Sequence, residues 1–213
     1  MTWTLLVLGH RDPSLYQTEC IRRIDEVVGL GFFDRLVMSR DTEGVGHQAD
    51  THGPWDVLHT GGGKGLSANV QQAWDALGDD EWVFHVEEDF LIDDAPLVEM
   101  AEVLASTPRL ANMVLLRQPE PLAPGEVAWG VYGAQGGLVD RDGWLEHSNG
   151  FWLNPCVYHS SIALHYRAGT ESVLTAQMAA DGRTFGYWGG FGDPPRCTHV
   201  GTSGRMGSPG WVA

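Results

Sequence analysis

The sequence predicts an α/β fold in a single domain, with a mostly parallel central sheet flanked by helices and a small antiparallel hairpin. Three observations predict it. Short apolar runs alternate with segments of helical period, the βαβ pattern of a parallel sheet. The runs TWTLLVLG, FFDRLVMSRD and WVFHVEED each end in glycine or polar residues, as strands do where they leave the core. GLVDRDGWL carries the turn chemistry of a hairpin.

TWTLLVLG reads as a buried strand. In DPSLYQTECIRRIDEVVG, Asp12 can cap a helix with Pro13 at its first position, and Tyr16, Cys20, Ile24 and Val27 then share a face. FFDRLVMSRD is a second strand ending at Ser39, Arg40 and Asp41. TEGVGHQADTHGPWDVLHTGGGKG has no helical period and reads as a loop with one short strand around Val57. SANVQQAWDAL restores helical spacing, with Val70, Ala73, Trp74 and Leu77 on one face and Ser67 as the cap. WVFHV is the next strand, APLVEMAEVLASTP a helix for which Asp93 and Asp94 can serve as cap, and NMVLLRQ a further strand. From about Pro119 glycine, proline and aromatic residues dominate. ESVLTAQMAADG is a late helix that Thr170 caps and Gly182 stops, and THVGTSGRMGSPGWVA is too rich in glycine for regular structure.

A chain of 213 residues with 43% apolar residues can bury one sizeable core. Its net charge of -15, from 28 acidic against 13 basic residues, disfavours duplex nucleic acid as a partner. Cys20, Cys156 and Cys197 are odd in number and form no CxxC pair, which argues against a disulfide framework or a zinc cluster and for reduced thiols in a cytoplasmic protein. The apolar run Leu5 to Leu8 is too short to span a bilayer, and no signal-peptide pattern precedes it, so no transmembrane segment is expected. Nine tryptophans serve mostly as core; Trp152, Trp188 and Trp211 can line an acceptor groove with their flat apolar faces, though single aromatics are more often core.

GGGKG, Gly61 to Gly65, is not a Walker motif, because Leu58 stands where its first glycine belongs and Gly65 where Ser or Thr belongs. Such a loop can still bring backbone N–H groups and Lys64 near a diphosphate, or serve as a plain turn. VDRDG contains a fragment of a calcium loop, but the pattern stops there and a tight turn is the simpler reading. Glu87, Glu88 and Asp89 follow a strand directly. A solvated turn would explain them, and so would a divalent ion. Magnesium and manganese are commonly held by one or two carboxylates with water and phosphates completing the shell, and residues two apart at a strand end can face one ion.

The order of these segments resembles the GT-A glycosyltransferases, in particular the family 2-like enzymes. TLLVLGHRDPSLYQTECIRRI is similar to the family's first strand and helix, and Asp41 in SRD to its acidic position after the second strand. GKGLSANVQQAWDAL resembles the segment with Asn before a helix, and Glu87-Glu88-Asp89 its DxD metal motif, with Glu in place of the first Asp. WLNPCVYHSS and TESVLTAQMAADG continue the likeness more weakly, with Ser172 where the family often has an acid, and THVG offers His199 where several of these enzymes carry a late metal ligand.

The resemblance implies one GT-A-type, Rossmann-like domain over residues 1–213. Residues 1–118 would form the nucleotide-sugar and metal-binding half and 119–213 the acceptor side. It implies a metal-dependent glycosyltransferase, more in keeping with inversion than retention, using Mn2+ or Mg2+ and a UDP- or GDP-linked sugar. The acceptor would be a glycan, a protein or another hydroxyl compound. Glu87, Asp89 and His199 would hold the ion. Gly9, Arg11, Asp41, Lys64, Asn69 and Glu88 would form the donor side, with Asp41 bonding the nucleoside and Glu88 facing away from the ion. Glu171 would be the general base; the alternative for it is a helix-start carboxylate favoured by the macrodipole, and for His199 a surface histidine. A sugar-nucleotide nucleotidyltransferase would want a glycine-rich basic stretch after the first strand, where GHRDPS stands. A non-catalytic carbohydrate-binding module would explain the tryptophans but not converging acids.

Overall fold

The computed structural model of the protein describes residues 1–9, 15–42, 48–49, 54–115, 137–153, 155–166, 169–190 and 193–200. Arg11, the expected cap at Asp12 and Pro13, Trp211 and the tail from 201 lie outside the described residues.

The first half runs β1 (Thr2–Gly9), α1 (Leu15–Val27), β2 (Arg35–Arg40), β3 (Gln48–Ala49), β4 (Trp55–His59), α2 (Leu66–Asp75), β5 (Glu81–Glu87), β6 (Phe90–Ile92), α3 (Leu97–Ser106) and β7 (Leu110–Val114). The second half runs β8 (Val139–Asp140), β9 (Trp144–His147), β10 (Cys156–His159), α4 (Ser160–His165), α5 (Glu171–Ala180), β11 (Thr184–Trp188) and β12 (Cys197–His199). The main sheet has the order β3-β4-β2-β1-β5-β10-β7-β11-β9-β8. Strands β4, β2, β1 and β5 are parallel, and β10 enters antiparallel between β5 and β7. β7 and β11 are parallel again. The fold is α/β with a mixed, largely parallel central sheet and a small separate antiparallel pair, β6 with β12.

Burial explains why β1 is apolar without alternation: Leu5, Leu6 and Val7 are all fully buried, as expected of a strand covered on both faces. Helix α1 contributes Cys20 and Ile24 to the core and α2 contributes Val70, Ala73 and Trp74, on the faces that their spacing predicts, while Leu77 is buried just past the end of α2. α2 packs on β1, β2 and β4 and meets α4, while α3 covers β7 and β10. Trp74 Nε1 donates to the Tyr158 hydroxyl at 2.9 Å, and that hydroxyl lies 3.1 Å from His85 Nδ1. Burial pushes His85 down to about 3, so the ring is neutral and tightens α2 onto β5 and β10. Of the candidate groove tryptophans, Trp152 belongs to the core and Trp188 packs partly against it.

The hairpin of β8 and β9 turns on Asp142 and Gly143, at φ 59° and 96°, with the Arg141 N–H donating to the Trp144 carbonyl at 2.9 Å. Two positive φ values in a two-residue loop fit a type I′ turn, for which Asp-Gly is a preferred sequence. Asp140 accepts from the Asp142 N–H at 3.1 Å, so its carboxylate stabilises the turn. Thr170 caps α5 by accepting from the Val173 N–H, and Gly182 leaves it at φ 71°.

Two expected caps are corrected. Ser67 lies inside α2, whose N-cap position is Gly65. Asp93 and Asp94 do not cap α3, which starts later with Pro96 at the N-cap position and no side-chain cap. The two acids lie beyond the end of β6, where Asp93 pairs with Arg23 and Asp94 with Arg196. Both their N–H groups donate to the Arg196 carbonyl, at 2.8 and 3.1 Å. They fasten the approach to β12, because an arginine on the incoming segment is a stronger partner than a distant helix start.

Candidate active site

The carboxyl ends of β4, β2, β1 and β5 lie in one row: Arg40 is level with His59 and with Gly9, and Leu8 with Glu87. In parallel α/β sheets this edge collects ligands. Here β5 delivers Glu87, and the turn into β6 carries Glu88 and Asp89.

The three acids diverge. Glu88 is buried and its N–H donates to the Leu8 carbonyl at 2.9 Å. A Cβ on Gly9 would lie 3.4 Å from both Glu88 Oε2 and Arg40 Cγ, so Glu88 turns toward the ends of β1 and β2 and glycine leaves room for it. Asp89 turns toward the incoming C-terminal segment. Pairing of β12 with β6 sets His199 level with Phe90, the Val200 N–H donates to the Asp89 carbonyl at 2.8 Å, and the His199 ring packs on Phe90 with centroids 4.8 Å apart. Across 110 residues of chain, His199 Nε2 thus arrives 3.1 Å from Asp89 Oδ2.

Glu171 opens α5 and reaches back, its Oε1 accepting from the Leu153 N–H at 2.8 Å. Burial pushes its carboxyl up to about 7, against the lowering effect of that bond. Glu87 is raised well above the ordinary carboxylate range by burial first, then by the charges of Asp89, Glu171 and Glu88. Those interactions gather Glu171 from α5 with the three acids after β5. Burial also raises the Cys156 thiol, and Glu171 and Glu87 add to that rise, so Cys156 belongs to the same neighbourhood. Cys20, Cys156 and Cys197 are all buried free thiols.

The donor-side candidates divide. Asn69 is buried, its Nδ2 donating to the Gly9 carbonyl at 3.0 Å and its Oδ1 accepting from Ser39 Oγ at 2.6 Å. It ties the ends of β1 and β2 to α2. Asp41 Oδ1 accepts from Thr60 Oγ1 at 2.5 Å and from the Lys64 N–H at 2.9 Å, and Oδ2 accepts from the Gly65 N–H at 2.9 Å. The Lys64 side chain is exposed. Sequence reasoning missed Thr60, and also Arg40, which is buried at the end of β2 with its Nη2 3.3 Å from Gln17 Oε1. Arg40 had a visible signal, a charge closing an apolar strand; Thr60 and Gln17 had none.

Among the described residues no three His, Cys, Asp or Glu side chains surround one ion position. Two do converge. Adjacent ligands on an ion with bonds of ~2.1 Å lie about 3 Å apart, which is the separation of Asp89 Oδ2 and His199 Nε2. A carboxylate oxygen and an imidazole nitrogen suit Mn2+, and two protein ligands leave positions for phosphate oxygens.

No protein-family model matches the chain, and no curated protein matches its sequence. Solved structures do match its fold. S. aureus TarS, residues 1–349, superposes with a TM-score of 0.60 and 10% identity over 94% of this chain and 60% of that one. GalNAc-T7, solved with UDP, GalNAc and Mn2+, superposes with a TM-score of 0.63 and 9% identity over 98% of this chain and 45% of that one. The fold is GT-A-like. This GT-A-like chain spans less than two thirds of either match, and at such identities the likeness establishes the fold alone. Among the described residues no helix is long and apolar enough to cross a membrane.

Proposed function

We propose that the protein is a metal-dependent glycosyltransferase that moves a sugar from a UDP- or GDP-linked donor to a hydroxyl acceptor on a glycan, a protein or another molecule. The observation that carries this reading is the meeting of Asp89 and His199 at the ligand-collecting edge of a GT-A-like sheet. Electrostatics support it. Acidic side chains at the end of β5 disfavour a diphosphate unless a cation lies between them, and a divalent ion held there would supply that charge. One structural match, GalNAc-T7, was solved with UDP and Mn2+, which supports the reading.

Asp89 and His199 would hold the ion, with phosphate oxygens and water completing its shell; Glu87 lies near Asp89 but, among the described residues, does not join the two as a third ligand. A bound Mn2+ or Mg2+ supplies positive charge for the diphosphate leaving group. Glu171 takes the acceptor proton: a carboxyl near 7 is matched to general-base work at neutral pH, and the Leu153 N–H fixes one of its oxygens so that the other can face an acceptor hydroxyl. A base supplied by α5 would serve an inverting displacement, in which the acceptor attacks opposite the departing diphosphate. Gly9 and Asn69 would shape the donor floor, Glu88 and Arg40 would line it near the end of β1, and the exposed Lys64 would meet the donor from the glycine loop. The test is release of nucleoside diphosphate from UDP- and GDP-sugars with Mn2+. Wild-type protein should turn over donor and Asp89→Ala should not; turnover unaffected by EDTA would sink the metal role.

A further inference from the structure

The glycine loop Gly61–Gly65 presents the features of an anion-binding nest: Gly61, Gly62, Gly63 and Gly65 all have positive φ, from 62° to 88°, and the loop leads directly into α2. A diphosphate is the obvious occupant. The structure shows a different one. The Lys64 and Gly65 N–H groups both donate to Asp41, which sits just beyond β2 and more than twenty residues earlier in the chain. Gly65 has no side chain with which to cap α2, so the carboxylate that meets the start of the helix comes from another strand. Thr60 adds a third donor from the end of β4, and the Thr60 N–H donates to the Arg40 carbonyl at 3.0 Å, so the loop is tied to β2 on both sides.

We propose that Asp41 is a positioning residue that acts through this loop: it serves as the built-in anion of the nest, holding Gly61–Gly65, with the exposed Lys64, against the end of β2 at the edge proposed to take the donor. One anion excludes another from the same two amides. The Lys64 and Gly65 amides therefore do not bind the diphosphate, and Asp41 influences donor affinity without touching the nucleoside. This rests on the glycosyltransferase reading only for the identity of the donor; the loop geometry stands apart from it.

Asp41→Asn keeps the volume and removes the charge, while Asp41→Gly leaves a gap with three donors aimed into it that formate can fill. Hydrogen exchange over the loop and affinity for UDP or GDP with Mn2+ are measured in both. Loop amides should exchange about tenfold faster in each variant and diphosphate affinity should fall about tenfold. Formate should restore both quantities in Asp41→Gly and neither in Asp41→Asn, a rescue that general destabilisation does not give. Unchanged loop exchange with weakened diphosphate binding would overturn the proposal in favour of direct contact with the nucleoside, and so would a gap that formate does not repair. If wild-type protein binds no diphosphate, the exchange and formate arms still decide the role of Asp41, and only the proposed function fails.

Discussion

Glu146 and Glu171 are both largely withdrawn from water, yet their surroundings treat them in opposite ways. Arg109 grips Glu146 with Nε at 2.6 Å and Nη2 at 2.8 Å, Arg141 Nε adds a bond at 2.8 Å and Thr184 Oγ1 another at 2.8 Å. The Arg109 bonds lead in holding its carboxyl down at about 2. Among the described residues the Glu171 carboxylate has one bond, from a backbone N–H, and burial pushes it up to about 7. Glu87 is raised as well, by burial and by three other acids. A carboxylate whose cations belong to the protein fastens β9 to β11 and β7. Among the described residues Glu171 and Glu87 have no arginine or lysine bonded to them, an arrangement that suits the proposed divalent ion.

The sharpest way to break this contrast is to neutralise the second kind. Glu171→Gln should lower the rate of sugar transfer by ~10²–10⁴ with little change in folding, as expected for loss of a general base. Single-turnover rates measure it, and an unimpaired variant removes Glu171 from the chemistry.

Glu146→Ala should leave transfer kinetics intact in the folded fraction and lower stability by about 2–3 kcal/mol in urea unfolding. That figure is below the full cost of breaking a buried pair because both arginines are half exposed. The sign with pH follows from its depressed value. The stabilisation is present above the unfolded carboxylate range near 4.5 and is lost as pH falls toward about 2. The difference between wild type and variant should therefore close over that window.

The smallest effect has the opposite sign. In metal-free protein, Glu171 ionises more readily unfolded, near 4.5, than folded, near 7, so the folded state loses stability as pH rises through that interval. Glu171→Gln should match wild type near pH 4 and exceed it by about 1–2 kcal/mol at pH 8, after allowance for partial exposure. A variant less stable at both pH values would show that Glu171 supports the fold instead of straining it.

The elements carried by local pattern were legible. Helical spacing located the buried faces of α1 and α2, and Asp-Gly marked the turn before Trp144. The acids after β5 were also legible, because charge closing an apolar strand is unusual. Partnerships across long stretches of chain were not. Nothing local shows that Cys197–His199 pairs with Phe90–Ile92, the pairing that carries His199 to Asp89. The start of α2 was assigned to Ser67 because caps are sought within a few residues, whereas the carboxylate that meets it comes from Asp41. Asp93 and Asp94 looked like a helix cap for the same reason, and their arginines lie 70 and 102 residues away. Glu146 gave no signal, since its partners come from three separate segments.

Joint binding of Mn2+ and a nucleoside diphosphate tests the central claim most directly. Ligands that bind only the folded state raise its melting temperature by mass action. The account predicts that UDP or GDP with Mn2+ raises Tm more than the separate additions combined, and that Asp89→Ala abolishes the extra rise. No joint shift with either nucleotide, or a joint shift that survives Asp89→Ala, would contradict it.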